Sequence, residues 1–202
     1  MATKPPRTPT TDACRRPYRF TVRQLERMID SGVIPDSTDV ELIRGRLYRM
    51  TKHEPHNFTV AMIDRLLGRM FPEERFTVRE EKSMSHDGRS MPEPDVAVVR
   101  GRLEDFRPRP PSTSEAVLIV EVCHNTKRAD YHDKREIYAT AGVPSYWIVD
   151  LVDRTITVHA EPTTQGEFGR VETFAEGASA PVVLDRVEIG RIAVNDVLPP
   201  KE

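Results

Sequence analysis

The stretch that decides the fold lies in the middle of the chain and reads Ala-Val-Leu-Ile-Val-Glu-Val, from Ala116 to Val122. A short continuous run of apolar and β-branched residues predicts a strand that is buried on both faces, at the centre of a sheet. Glu121 stands inside this run. A carboxylate there is costly unless it is paired, protonated or bound to a cation. Glu121 is therefore a candidate functional residue.

A second acid lies at the start of another hydrophobic strand. Asp95 follows Pro94 and precedes the apolar run Val96–Val99. Asp130 and Lys134 come soon after Glu121 and are one helical turn apart. Two acids on hydrophobic strands with an ammonium nearby predict a carboxylate metal site, and the chemistry that suits such a site is hydrolysis of phosphodiester bonds.

The segment from Arg128 to Ala141 is predicted to be a helix that ends at Gly142. A period of 3.6 residues places Asp130 and Lys134 on the stripe that faces the sheet. An ammonium aimed at a sheet that carries acids either forms a buried ion pair or positions and activates a water near a metal. Asp130 is expected to orient Lys134 through an i, i+4 contact.

The remaining patterns predict further helices and strands. The first helix begins with a capping box at Thr21–Gln24 and stops at Gly32, and a long amphipathic helix covers residues 56–70. A hairpin turns at Gly45. Further strands are predicted over residues 75–84, 94–100, 146–149, 155–160, 170–174 and 182–184. The fold class is α/β (α+β), with a mixed central β-sheet flanked by helices.

Composition limits the class of protein. The chain has 202 residues, a net charge of −2 and only two cysteines, which lack a metal-ligand spacing and predict a reducing, cytoplasmic location. No stretch is long and apolar enough to cross a membrane. Residues 1–17, rich in Pro, Thr and Arg, are expected to be a disordered tail, and residues 18–202 a single domain.

The ordered set of motifs resembles the Uma-type family of putative restriction endonucleases, a branch of the PD-(D/E)XK nuclease superfamily. The resemblance rests on Pro94-Asp95, Val120-Glu121-Val122, Asp130, Lys134 and Tyr138, Gly142-Val143-Pro144 and Tyr146–Asp150, with Glu41–Gly45 and His56 upstream. It covers roughly Phe20 to Leu198. It implies a restriction-endonuclease-like sheet with an N-terminal hairpin and additional C-terminal strands, and a Mg²⁺-dependent endonuclease that cuts DNA.

The resemblance also implies roles for individual residues. Asp95 and Glu121 would bind Mg²⁺, or Mn²⁺ as a substitute, with the main-chain carbonyl of Val122 as a third oxygen ligand. The superfamily usually has its lysine two positions after the acid, where this chain has Cys123. Lys134 on the following helix is the natural replacement and would position or deprotonate the attacking water. Supporting residues are Glu41, Asp130 and His56, the last as a helix-start or supporting group rather than a ligand.

Alternatives remain open for the residues and for the function. Taken singly, Asp95 is typical of a turn cap, and Lys134 of a side chain that extends along its helix to water. One of Glu80 and Glu81 is expected to face the site, without a means of choosing between them. The alternative function is a catalytically inactive DNA-binding or protein-interaction module; a hydrolase of small phosphate esters is a third. Cutting both strands would favour a homodimer.

Overall fold

The structure, a computed structural model, describes residues 16–35, 40–50, 53–124 and 128–201, and only the backbone of residues 128–131. Its α-helices within these ranges are α1 Val22–Asp30, α2 Glu54–Met70, α3 Arg128–Thr140 and α4 Val194–Val197, and two short 3-10 helices cover Leu103–Phe106 and Thr113–Glu115. Its strands are β1 Val40–Ile43, β2 Arg46–Arg49, β3 Phe76–Glu80, β4 Val96–Arg100, β5 Ala116–Cys123, β6 Ser145–Asp150, β7 Thr155–Pro162, β8 Phe168–Ala175, β9 Ser179–Leu184 and β10 Val187–Ala193. The predicted tail falls almost wholly outside the described residues.

Six of the strands form one mixed sheet in the order β3-β4-β5-β6-β7-β8. Only β5 and β6 are parallel neighbours, with Glu121 opposite Ile148, and the other four pairs are antiparallel. All eight residues of β5 are buried, which explains its apolar sequence because both of its faces are covered. The predicted mixed central sheet flanked by helices is confirmed.

Helix α3 covers one face of the sheet. Parallel neighbours need a crossover connection, and α3 supplies it between β5 and β6. Its buried side chains Ile137 and Tyr138 belong to a core cluster with Ala97, Ile119 and Tyr146 from β4, β5 and β6. Since successive strand residues point to opposite faces, the residue two positions after Ile119 also points toward α3. That residue is Glu121.

Helix α2 covers the opposite face. Val60, Ile63 and Leu67 of α2 join a second core cluster with Val120 and Trp147 of the sheet. Residues of α4, β9 and β10 complete this cluster. The predicted helix over residues 56–70 matches α2, which begins two residues earlier.

A hairpin of β1 and β2 carries Glu41 to the sheet. Arg44 and Gly45 have φ angles of 48° and 76°, so both turn residues are left-handed, as a two-residue type I′ turn requires. Leu42 and Met91 exchange two backbone hydrogen bonds, which fix the hairpin beside the segment that leads into β4. Glu41 therefore lies next to the acids of the central strands.

The structure differs from the predicted elements in two places. The predicted strand over residues 75–84 ends at Glu80, because Glu81 has a φ of 48° and leaves the extended conformation. Additional C-terminal strands are present as predicted, but β10 and α4 were not foreseen. Most of β10 is exposed, including its apolar residues Val187 and Ile189, so no buried apolar face identifies it as a strand.

Candidate active site

Asp95 lies immediately before β4 and links three parts of the chain. Its Oδ2 accepts a hydrogen bond of 2.6 Å from the amide of Val122, and its main-chain carbonyl accepts one of 3.0 Å from the amide of Glu81. The Nε2 of His56, at the start of α2, lies 3.2 Å from Oδ1 of Asp95. Asp95 is 8% exposed, so these contacts hold its carboxylate at the edge of the core.

Glu121 is only 3% exposed and points toward α3. Its Oε1 accepts a hydrogen bond of 2.8 Å from the hydroxyl of Tyr138, and its Oε2 accepts one of 3.0 Å from Nζ of Lys134. Both donors lie on α3, one turn apart, so the helix that crosses over the sheet also fixes the orientation of this carboxylate.

Lys134 joins the sheet to the N-terminal hairpin. Its Nζ lies 2.9 Å from Oε2 of Glu41 and 3.0 Å from Oε2 of Glu121, and it donates to the carbonyl of Glu93 at 3.4 Å. The amide of Glu93 in turn donates to Oε2 of Glu41 at 3.3 Å. The side chain is 7% exposed. Lys134 is thus a buried ion-pair partner of two acids rather than a side chain that reaches solvent.

The electrostatics of this cluster shift two pKa values. Burial raises the pKa of Glu121 to about 8, although the neighbouring ammonium of Lys134 opposes this shift, and the charges of Asp95 and Glu41 add to it. Burial alone would lower the pKa of Lys134, but the carboxylates of Glu121, Glu41 and Asp95 outweigh burial and raise that pKa. Lys134 is therefore a cation at neutral pH.

The charges of the described cluster suit a divalent cation. When Asp95, Glu121 and Glu41 are all ionised, their three carboxylates outnumber the one ammonium of Lys134 and leave an excess of negative charge around it. Carboxylate oxygens are the hard donors that Mg²⁺ and Mn²⁺ prefer. Each oxygen has two lone pairs, so an oxygen that accepts one hydrogen bond can still bind a cation.

A second set of donor atoms lies beside Asp95. Three residues each offer one ligand atom here, and these atoms all lie within 4.8 Å of one another, which is close enough to hold an ion. The residues are His56, Glu81 and Asp95. The sequence does not indicate whether Glu80 or Glu81 faces the site, because strand alternation places one of them on each face without showing which face is which. Glu80 is exposed on β3, whereas the left-handed backbone at Glu81 brings that residue to the site.

The structure brings together Asp95, Glu121 and Lys134, the three residues predicted to act, and two supporting residues, Glu41 and His56. Val122 lies at the site through its amide, and the role of its carbonyl stays a prediction. The side chain of Asp130 is outside the described part of the structure, as is Asn125. His124 is exposed at the bend that follows β5.

Two groups that hold the site together were given no role from the sequence. The periodicity places Tyr138 on the same helical stripe as Lys134, one turn later, but it does not show that the hydroxyl of Tyr138 donates to Glu121. Glu93 acts through its main-chain amide and carbonyl. No side-chain pattern could have revealed these contacts.

A family model described as "Uma2: Putative restriction endonuclease" matches residues 22–190 of this chain. The chain therefore belongs to the Uma2 family, which confirms the family resemblance found in the sequence.

Comparison with solved structures supports the same fold. The crystal structure of a putative nuclease belonging to DUF820, from Anabaena variabilis ATCC 29413, matches with a TM-score of 0.62 and 14% identity. The match covers 82% of this chain and 93% of the other. No curated protein matches the chain significantly. None of the described helices is long and apolar enough to span a membrane.

Proposed function

We propose that the protein is a metal-dependent endodeoxyribonuclease that hydrolyses phosphodiester bonds in DNA. The observation that carries the proposal is the buried ammonium of Lys134 between Glu121 and Glu41, with Asp95 on the neighbouring strand. Burying so many charged groups is costly in free energy. Membership of a restriction endonuclease family offers a functional reason for them.

Mg²⁺ is the proposed cofactor, with Mn²⁺ as a substitute. Asp95 and Glu121 would hold the ion, with the carbonyl of Val122 as a further oxygen donor. When bound, the ion would supply a water of lowered pKa and stabilise the negative charge that develops on the phosphate. His56 and Glu81 offer two more donor atoms beside Asp95.

The protein side chains have separate tasks in this proposal. Because the pKa of Lys134 is raised, we propose that its ammonium stays charged and acts as a hydrogen-bond donor, rather than removing a proton. It would position the attacking water by exchanging its longest contact, the one of 3.4 Å to the carbonyl of Glu93, because its other two protons are held by Glu41 and Glu121. Glu41 holds the ammonium in place, and Tyr138 holds the carboxylate of Glu121. The supporting role of Asp130 stays a prediction.

Plasmid nicking tests the proposal. We expect Asp95→Asn and Glu121→Gln to abolish Mg²⁺- and Mn²⁺-dependent nicking of supercoiled plasmid, because each removes one charge with little change in shape. Glu73→Gln, an exposed acid on a turn, is the matched control and should cut as the parent does. Circular dichroism verifies that each variant is folded. Cutting by both site variants at the parent's rate would show that the site assignment is wrong.

The same assay separates the proposal from an inactive DNA-binding module. Two observations favour that second candidate: Cys123 stands where the superfamily usually has its lysine, and both carboxylate oxygens of Glu121 already accept hydrogen bonds. A module of this kind would retain DNA in a gel-shift experiment without cutting it at any Mg²⁺ or Mn²⁺ concentration.

A further inference from the structure

A groove of about 480 Å³ opens on the α3 side of the sheet, next to the candidate active site. We call it the sheet groove. It is lined by Cys123 of β5, His132 and Arg135 of α3, Ile148 and Asp150 of β6, Asp153, Thr155, Thr157 and His159 of the β6–β7 region, and Thr173 of β8.

The register of the strands connects this groove to Glu121. Ile148 is opposite Glu121, Thr157 is opposite Ile148, and Thr173 is opposite Thr157. Residues opposite each other on neighbouring strands project from the same face. Strands lie about 4.8 Å apart, so Thr157 is roughly 10 Å from Glu121 across the sheet. A DNA strand that crosses the site at Glu121 can therefore continue past Ile148 toward Thr157 and Thr173.

The side chains of the groove suit a sugar-phosphate unit. Arg135 follows Lys134 on α3, and its half-buried guanidinium makes no hydrogen bond or ion pair with any residue that the structure describes. A guanidinium matches the geometry of a phosphate with two parallel hydrogen bonds. The hydroxyls of Thr157 and Thr173 lie 3.0 Å apart and can turn to donate or accept.

A buried histidine forms part of the groove wall. His159 is 5% exposed and lines the groove, and within the described residues its Nδ1 has no hydrogen-bond partner. Burial lowers the pKa of this imidazole, and the nearby charge of Arg135 lowers it further.

Two acids also line the groove, but one of them is already engaged. Oδ1 of Asp150 accepts hydrogen bonds of 2.9 and 2.8 Å from the amides of Val152 and Asp153. These contacts hold the carboxylate of Asp150 in the turn after β6.

We infer that the sheet groove binds the nucleotide next to the phosphodiester bond that is cut, with Arg135 contacting its phosphate and the hydroxyls of Thr157 and Thr173 contacting its sugar. This inference rests on the proposed function, since it extends the substrate from the site into the groove. It assigns binding, and no chemical step, to these residues.

Binding and cleavage of DNA by the full chain test the inference. Arg135→Ala should raise KM about tenfold and leave kcat within about twofold, because it removes a phosphate contact away from the reacting atoms. In EDTA, where no cutting occurs, it should weaken binding of a fluorescent DNA duplex and reduce the slope of log Kd against log salt by about 1. Thr157→Val should raise KM with no change in that slope.

The control variant is Arg65→Ala, an exposed arginine on α2, which covers the other face of the sheet. If Arg135→Ala behaves as Arg65→Ala does in both assays, the sheet groove does not bind the substrate. If the parent binds DNA without cutting it and Arg135→Ala still lowers the salt slope, the groove assignment stands and the proposed nuclease activity falls. A parent that does not bind DNA would overturn both.

Discussion

At the scale of single residues, Glu121 has the most unusual environment among the residues described. It lies in a strand with no exposed residue, and its two oxygens are divided between Tyr138 and Lys134. Burial is the main reason that the pKa of Glu121 stays high beside a cation, and the charges of Asp95 and Glu41 add to it. The acid therefore binds a proton in the metal-free protein under conditions where ordinary glutamates are ionised.

This environment predicts that the metal-free protein loses stability as pH rises. The pKa of Glu121 is about 8 in the folded chain, against an ordinary value of 4.5 for an unfolded one. Between these values the folded state binds more protons, so the free energy of unfolding falls with rising pH, by at most about 1.4 kcal/mol per pH unit. Urea unfolding in EDTA from pH 5 to 9 should show this decline, levelling off above pH 8.

Glu121→Gln should flatten the decline, since an amide cannot titrate. The exposed Glu73→Gln should retain the parent's full pH dependence. An equal slope in the parent and in Glu121→Gln would mean that another group is responsible for the pH dependence.

At the scale of elements, the N-terminal hairpin positions one acid of the site and depends on a tight turn. Gly45 has a φ of 76°, and a Cβ at this position would lie 2.9 Å from both Cβ of Arg19 and the carbonyl oxygen of Phe20. The carbonyl of Gly45 also accepts a hydrogen bond of 2.8 Å from the amide of Phe20. The segment before α1 therefore packs directly on the turn that carries Glu41.

We expect Gly45→Ala to destabilise the protein and to weaken cleavage. The left-handed backbone alone costs an alanine about 1–2 kcal/mol, and the contact with Phe20 adds to this cost. Gly32→Ala is the matched control, because Gly32 has a φ of 72° with nothing within 4 Å of the added Cβ. Urea unfolding should show a larger loss for Gly45→Ala. Equal losses would mean that the turn adapts and that its packing against Phe20 contributes no stability.

The elements also show why part of the fold was predictable and part was not. The helix over residues 56–70 and the strand Ala116–Val122 carry strong apolar patterns, because the core covers one side of the former and both sides of the latter. β10 pairs only with β9 and is mostly exposed, so its sequence contains no comparable pattern.

The candidate site likewise contains residues that the sequence could predict and residues that it could not. Buried charges in apolar surroundings, such as Glu121 and Lys134, are visible in a sequence because they break a hydrophobic pattern. The position of Glu81 depends on a single left-handed residue, and the contacts of Glu93 use its backbone. Neither is encoded in residue type or spacing.

At the scale of the whole molecule, the site connects elements that are far apart in sequence. Glu41 comes from the N-terminal hairpin, His56 from α2, Glu121 from β5 and Lys134 from α3. Their contacts link the layer of α2 on one face of the sheet to the layer of α3 on the other. A cation that binds the acids of this cluster in the folded protein would therefore stabilise the fold as a whole, because these acids are separated when the chain unfolds.

This linkage predicts a cation-dependent rise in melting temperature. At a concentration about 100 times Kd, an ion that binds only the folded protein adds about 2.7 kcal/mol, which corresponds to a rise of about 5–11 °C for a chain of this size. Differential scanning calorimetry with Mn²⁺ or Mg²⁺ should show the rise, and EDTA should reverse it. Asp95→Asn combined with Glu121→Gln should remove the rise while retaining a cooperative transition. The same rise in that double variant would place the ion elsewhere on the molecule, and the role proposed for the two acids would be wrong.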